Sequence, residues 1–463
     1  MKLRNLICSA LAMIGLSGVI SQTGAQAAQG DASFVTVNRN ITTNTRWTRD
    51  KVYLLTRMVF VTNGAVLTIE PGTIVRGMKK GPNGTGFANE PGTLVISRTG
   101  KLIANGTPDD PIIMTSIDDT LVPGGIQTVP KTFRNGLNQV KNVVPKNYTP
   151  NGPTANNGFA HCEEWGGLVM LGRALVSQGS GLTTVPRPFN DNGLVNNSGT
   201  FIGADVIEGI DATRVPNSSG PGTPKLGVYG GTDDNDNSGV VRFVSIRYAG
   251  DVIGESNELN SLTVGGLGTG TLLEHIESTF NTDDGFEWFG GKNNPRFLFS
   301  LYNRDDAFDG DEGVRIAGQF WTALHGNDAE LRSNYPSNNS LTGHANNSSP
   351  GAAAVSYNQM MEWDGPEPNG TVSSPAVTQV DLYNYTFVSR GTLGGGTTER
   401  AIRFRDRAYG FLRNGLFEAF AGTSAFSPSS ASNTNGSYRL EVNGFYYNTG
   451  LISDPVLASL SEG

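Results

Sequence analysis

Acidic side chains that recur at a fixed spacing are the residues of this chain best suited to chemistry. Stacked carboxylates repel one another, so either raised pKa values or a bound cation must relieve the charge. Calcium suits such a cluster because it accepts roughly six to eight oxygen ligands in loose geometry. The pairs lie 22 residues apart, and other acidic residues follow them: Asp283-Asp284, Glu287, Asp305-Asp306, Asp309, Asp311 and Glu312. The spacing therefore predicts a calcium site formed by Asp283, Asp284, Asp305, Asp306 and Asp309.

Two other interpretations of the same residues stay open. Asp and Asn often end strands by bonding to the backbone of a turn, so the cluster could be corner chemistry alone. Two carboxyl groups can also act as acid and base on a glycosidic bond, and Asp283, Asp305 and Asp306 are the catalytic candidates. A lyase would need a basic residue beside the calcium ion, and Arg304 or Arg315 could serve.

Aromatic residues near the acidic cluster suggest a polysaccharide partner. Trp288, Trp321 and Trp363 are predicted to stack on sugar rings, because a glycan presents an apolar ring face. Inward packing of these rings is the alternative. A formal net charge of −8 argues against nucleic acid as a partner, since nucleic-acid binding needs a basic surface. The predicted partner is a glycan or a cell-surface component, and the oligomeric state stays open.

Composition limits the fold that can position these residues. The chain of 463 residues contains 61 glycines, and only 16% of its residues are charged. This excludes a helical bundle, a coiled coil and an enzyme built on long helices, all of which need strong helix formers. The 22 Phe, 13 Tyr and 5 Trp residues exclude a disordered chain. Many short strands joined by turns remain.

A repeat of 22 residues is the clearest structural signal. Residues 275–287 align with residues 297–309, and residues 243–248 fit the same frame at an offset of 33. A unit this short cannot bury its own apolar face, whereas stacked turns bury a continuous core. The corners lack hairpin dipeptides, which favours parallel pairing. The predicted fold is all-β: a single-stranded, right-handed parallel β-helix (solenoid) with long loop insertions, right-handed because parallel crossovers strongly prefer that hand.

The chain divides around this repeat. Residues 1–27 have the positive start, apolar run and Ala-x-Ala site of a signal peptide, so export through the secretory pathway to the periplasm, outer surface or medium is predicted. No later segment approaches the ~18 apolar residues of a transmembrane span. The predicted units are an N-terminal cap at 28–64, the β-helix at 65–420, loops near 118–160, 179–224 and 327–354, and a C-terminal coil or cap at 421–463.

Several short motifs together resemble those of a known group of proteins. They lie, in order, at residues 165–174, 207–209, 229–231, 236–239, 283–291, 305–309 and 318–321. The set resembles secreted right-handed β-helix proteins of Gram-negative bacteria, mostly of unassigned function. The resemblance implies fold and export, and it supplies no catalytic residue.

A weaker similarity concerns the acidic residues alone. Residues 281–285, Asn-Thr-Asp-Asp-Gly, followed by Asp305-Asp306 resemble the acid pattern of polygalacturonase-type glycoside hydrolases. The chain departs from that pattern because no Gly-His-Gly follows Asp306, and Ala317 stands where a lysine would bind substrate. The predicted function is therefore an exported, non-enzymatic β-helix scaffold that binds a glycan or associates with the cell envelope. A polygalacturonase-like hydrolase or a lyase is the alternative.

Overall fold

The computed structural model describes residues 33–79, 90–117, 119, 164–177, 205–210, 226–254, 257–303, 305–325, 359–365, 377–388, 400–405, 408–418, 426–428 and 439–447. The predicted signal peptide lies outside the described residues, as does almost all of the three predicted loops. Strands make up nearly all the regular structure of the described part. No helix found there has the length and apolar character needed to span a membrane.

The described part contains 28 strands. In chain order they are β1 (Ser33–Val37), β2 (Thr45–Trp47), β3 (Lys51–Leu55), β4 (Met58–Val61), β5 (Val66–Ile69), β6 (Ile74–Gly77), β7 (Thr93–Ile96), β8 (Lys101–Asn105), β9 (Ile112–Ser116), β10 (Leu168–Leu171), β11 (Asp205–Val206), β12 (Val228–Tyr229), β13 (Gly239–Arg247), β14 (Asp251–Gly254), β15 (Asn257–Leu259), β16 (Leu262–Gly265), β17 (Leu272–Thr279), β18 (Phe286–Phe289), β19 (Lys292–Asn293), β20 (Arg296–Leu301), β21 (Phe308–Asp311), β22 (Arg315–Leu324), β23 (Gln359–Trp363), β24 (Gln379–Val388), β25 (Arg400–Phe404), β26 (Tyr409–Glu418), β27 (Phe426–Pro428) and β28 (Arg439–Tyr447).

Two long parallel sheets form the body of the molecule. The first sheet has 15 strands, with the main order β1-β3-β6-β9-β13-β17-β20-β22-β24-β26-β28. The second sheet has nine strands, in the order β4-β7-β10-β16-β18-β21-β23-β25-β27. Successive turns of the chain add one strand to each sheet, which is the arrangement of a parallel β-helix and confirms the predicted fold. Two short antiparallel pairs, β11 with β12 and β14 with β15, lie outside the two sheets.

The pairing register confirms the 22-residue repeat. Ser278 pairs with Ser300 in the first sheet, and Glu287 pairs with Asp309 in the second. The offset of 33 predicted for the preceding turn is wrong by one residue, because Val244 pairs with Ile276. A shift of one residue moves every side chain of a strand to the opposite face, so this correction decides which residues are buried.

The β-helix is longer than predicted at both ends. The predicted N-terminal cap at 28–64 contains β1 to β4, and β1 already pairs in parallel with β3. At the other end β28, which lies within the predicted C-terminal coil or cap at 421–463, pairs in parallel with β26. The N-terminal strands join the stack because their apolar residues enter the same core, as the complete burial of Leu55 and Val59 shows.

The core contains the tryptophans that were predicted to bind a glycan. Trp288, Trp321 and Trp363 each have 0% exposed surface. The rings of Trp288 and Trp321 stack with centroids 5.5 Å apart, and Gly310 lies in register between Trp288 and Trp363, leaving space for the Trp363 ring. The prediction that these three residues stack on sugars is therefore wrong. Their strands point them inward because the alternate position, Glu287 in β18, takes the outer face.

Candidate metal centre

The outer face of the second sheet carries a row of polar side chains, four of which can be charged. Thr263, Glu287, Asp309, Glu362 and Arg403 pair in register on five successive strands. Their apolar neighbours on each strand point into the core, so these side chains must point outward. The repeat therefore brings Glu287, Asp309 and Glu362 together on one surface.

The corner before this row adds a second line of acidic residues. The backbone N–H of Asp284 donates to Asn260 Oδ1 (2.9 Å), and the backbone N–H of Asp306 donates to Asp284 Oδ1 (2.8 Å). The backbone N–H of Gln359 continues the series by donating to Asp306 Oδ1 (2.5 Å). Each side chain thus accepts a hydrogen bond from the next turn. The corner role considered from the sequence holds for Asp284 and Asp306.

Two groups of carboxylates meet closely enough to share a cation. Asp283, Asp284 and Asp305 form one group, and Asp284, Glu287 and Asp309 form the other. Within each group one oxygen from every residue lies within 4.8 Å of the others. Asp284 belongs to both groups and is buried, while the other members are half-buried. Four of the five predicted metal ligands are therefore brought together, and Asp306 belongs to neither group.

Asparagine side chains hold this corner in place. The Asn260 side-chain amide donates to Glu287 Oε2, while its oxygen accepts the Asp284 backbone N–H. Asn303 Oδ1 accepts the backbone N–H of Asn281 (2.8 Å), and its amide donates to Ser300 Oγ (2.7 Å). Buried amides with satisfied hydrogen bonds keep a network in one arrangement. Asp284 and Glu287 are thus positioned by a neutral amide, which does not compensate a negative charge.

Two acidic residues that the sequence analysis missed form a wall beside the cluster. Glu208 follows β11, and Glu258 lies on β15 in one of the short antiparallel pairs. The Glu258 backbone N–H donates to Glu208 Oε2 (2.9 Å). Burial, and after it the negative charge of Asp305, raises the pKa of the Glu258 carboxyl group. Burial, and after it the charge of Glu208, raises the pKa of Glu287. Both residues lie in insertions without a repeat, so no periodic signal marked them.

Burial and mutual repulsion shift the protonation of the whole cluster. Burial is the largest cause that raises the pKa of Asp283, Asp284, Glu287 and Asp309 well above the ordinary range. Neighbouring carboxylates are the second cause, led by Asp305 for Asp283 and by Asp283 for Asp284. Within the described ranges none of these four residues forms an ion pair with Lys or Arg. A cation would remove the repulsion.

The nearby arginines have other partners. Arg315 forms a two-point contact with Asp234, with N–O distances of 2.5 and 2.8 Å. Arg403 and Arg405 both pair with Glu362, at 3.0 and 2.8 Å. Arg315 is thus engaged, which removes it as the base of a lyase, and Arg304 lies outside the described residues. The closest carboxylate oxygens of Asp283 and Asp305 lie within 4.8 Å of each other, which is also closer than the ~6.5–9.5 Å between the carboxyl groups of an inverting hydrolase.

Burial of the wall residues, and of Asp205 in β11, makes the metal-free stability depend on pH. The pKa is raised to about 8 for Glu208, and to about 7 for both Glu258 and Asp205, with burial as the largest cause. A raised carboxyl pKa means that the folded state holds more protons than the unfolded state, so stability falls as pH rises. The free energy of unfolding in chelator is therefore expected to fall from about pH 4 to about pH 8. Urea unfolding across this range would measure it.

A matched variant distinguishes this effect from denaturation that acid or base causes through other groups. Glu258→Gln removes one titrating group and keeps the side-chain shape, so the fall in unfolding free energy with pH should be shallower. A free energy that stays constant or rises between pH 5 and pH 8 would contradict the assignment of these groups.

The family described as the pectate-lyase-like β-helix domain matches residues 39–159 and 217–448. The second matched range contains every carboxylate of the two groups, whereas Glu208 lies between the matched ranges. No curated protein and no solved structure shows significant similarity to the chain.

Proposed function

We propose that this chain, which belongs to the family of pectate-lyase-like β-helix domains, is an exported, non-enzymatic scaffold. The scaffold binds calcium on its second sheet. The bound ion would hold a glycan or another cell-surface component that offers oxygen ligands. The single observation that carries this proposal is the pair of carboxylate groups that share Asp284.

The chemistry of the cluster favours calcium over other cations. All the predicted ligand atoms are carboxylate oxygens, which suit hard cations. Calcium also tolerates the irregular geometry that residues from a turn and a strand provide, whereas magnesium needs a near-ideal octahedron. Two groups that share one residue offer room for one ion or two. A half-buried site leaves positions at which a glycan oxygen could complete the coordination.

Two observations support a binding role over catalysis. Arg315 is held by Asp234, and Asp283 and Asp305 lie too close together for inverting hydrolysis. One observation favours the alternative, a polysaccharide-degrading enzyme that uses Asp283, Asp305 and Asp306. A carboxyl group with a raised pKa, such as Asp283, can stay protonated near neutral pH and act as a general acid.

Calorimetric titration and a glycan panel test the proposal together. Calcium should bind the purified protein, and neutral and acidic polysaccharides should be retained only in its presence. Asp284→Asn should abolish both effects, whereas the exposed Asp109→Asn serves as a matched control that changes neither. New reducing ends or unsaturated products would establish the enzyme instead. Absence of calcium binding would refute the metal site, and cell fractionation tests the proposed export.

A further inference from the structure

A column of stacked aromatic rings runs along the outer face of the first sheet. Phe243, His275, Phe297 and Phe320, here called the aromatic ladder, belong to β13, β17, β20 and β22. Their ring centroids lie 4.3, 4.3 and 4.7 Å apart. All four have positive φ, between 47° and 61°, and each therefore forms a bulge that interrupts the regular pairing of its strand.

Exposed apolar side chains concentrate around this ladder. Within the described part five large hydrophobic residues are exposed, and four of them lie on β17, β20, β22 and β24: Leu272, Phe299, Phe320 and Tyr383. The fifth, Val377, lies just before β24. Concentrated exposed apolar surface marks an interaction site more often than scattered residues do.

The stacking decides what kind of partner fits the ladder. A sugar ring binds to the face of an aromatic ring. The rings of the ladder cover the faces of one another, so they present mainly their edges to solvent. Ring edges consist of apolar C–H groups, which are buried favourably against the apolar side chains of a protein. The surface therefore suits an apolar protein surface better than a sugar ring.

Charges beside the ladder identify that partner. Arg242, Glu274, Arg296 and Gln319 pair in register next to the aromatic column. Glu274 lies 3.3 Å from Arg242, whereas Arg296 is exposed and forms no ion pair with any described residue. The three charged residues of the row thus alternate in sign. The last of them, Arg296, has no ion-pair partner within the described residues.

We propose that the aromatic ladder is the interface of a symmetric dimer of this chain. A two-fold axis parallel to the strands and midway between β17 and β20 would place Arg296 of one copy opposite Glu274 of the other. By symmetry, Glu274 of the first copy then lies opposite Arg296 of the second. The same axis places His275 opposite Phe297 of the second copy. A surface that complements itself in this way meets the requirement of a two-fold interface.

The size of the surface agrees with a dimer. From β9 to β24 the outer face spans six strands, three on each side of the axis, which at ~4.8 Å spacing and ~3.3 Å per residue over about seven residues gives roughly 700 Å². A standard interface takes about 800 Å² from each partner. The interface lies on the first sheet and leaves the carboxylates of the second sheet accessible, so it is independent of the proposed calcium site.

Sedimentation equilibrium of the mature chain tests the dimer. The wild type is expected to dimerise, and Arg296→Glu should raise the dissociation constant at least about tenfold because it places two glutamates opposite each other. The double variant Arg296→Glu with Glu274→Arg restores opposite charges and should dimerise within about threefold of the wild type. Phe320→Ser should weaken the dimer, and Val377→Ser should not.

Each outcome decides the proposal. Restoration by the charge exchange supports the two-fold arrangement, because loss of folding cannot be reversed in that way. A wild type that stays monomeric, or that binds soluble glycan through Phe320 as a monomer, overturns it. A dimer that Arg296→Glu leaves unchanged also overturns it, because the interface then lies elsewhere.

Discussion

Trp321→Ala is expected to lower the free energy of unfolding by about 3–5 kcal/mol, the usual cost of removing a large buried ring. The Trp321 ring is fully buried, and its centroid lies 4.6 Å from that of Phe308 and 5.5 Å from that of Trp288. The indole N–H also donates to the carbonyl of Pro295 (3.2 Å). Chemical denaturation at constant calcium and protein concentration measures the change.

The same variant tests the role of the tryptophan directly. A surface tryptophan that binds a glycan could be replaced with little loss of stability, and glycan retention would then disappear. Val377→Ala is the control for an exposed apolar residue, with an expected change within about 0.5 kcal/mol. Unchanged stability of Trp321→Ala would contradict the inward packing.

Calcium removal is expected to produce the second largest effect. A ligand that binds only the folded state stabilises it by about 2.7 kcal/mol at a hundredfold excess over the dissociation constant. Chelator should therefore lower the melting temperature of the wild type. Asp284→Asn should abolish this sensitivity, because Asp284 belongs to both carboxylate groups. Melting curves with calcium and with chelator measure both effects.

The chain provides a matched control for this experiment. An asparagine at position 284 or at position 306 keeps the oxygen that accepts the hydrogen bond of the next turn. Asp306 belongs to neither carboxylate group, so Asp306→Asn should remain sensitive to chelator. In chelator Asp284→Asn should be more stable than the wild type, because it removes one repelling carboxylate. A wild type insensitive to chelator would refute the calcium site.

The repeat explains why much of the architecture could be predicted. A unit of 22 residues determines which residues of successive turns lie side by side, so Asp283 and Asp305 could be placed together before any coordinates existed. The sequence around the tryptophans also indicates that their rings point inward. In β18 the charged residue Glu287 alternates with Phe286 and Trp288, and the charge requires the outer face.

Other parts of the site carried no such signal. Glu208 and Glu258 reach the cluster from insertions, and their approach depends on packing between segments that share no period. The extent of the stack was also underestimated, since β1 and β28 lack the 22-residue motif. The corner role of Asp306 depends on its carboxylate, which accepts the backbone N–H of Gln359 across a long insertion, and spacing alone does not reveal this contact.

Trp288, Gly310 and Trp363 lie in register on three successive strands of the core. Because a glycine separates the two tryptophans, one turn of the β-helix cannot take the place of the next. Deletion of residues 292–313 would remove one repeat of 22 residues and leave the strand pairing and the outer rows in phase. It would also remove the glycine that gives the Trp363 ring its space, so that two indoles would compete for one layer. Duplication or loss of whole turns, the usual route by which solenoids change length, is therefore barred in this part of the chain unless the inner residues change at the same time.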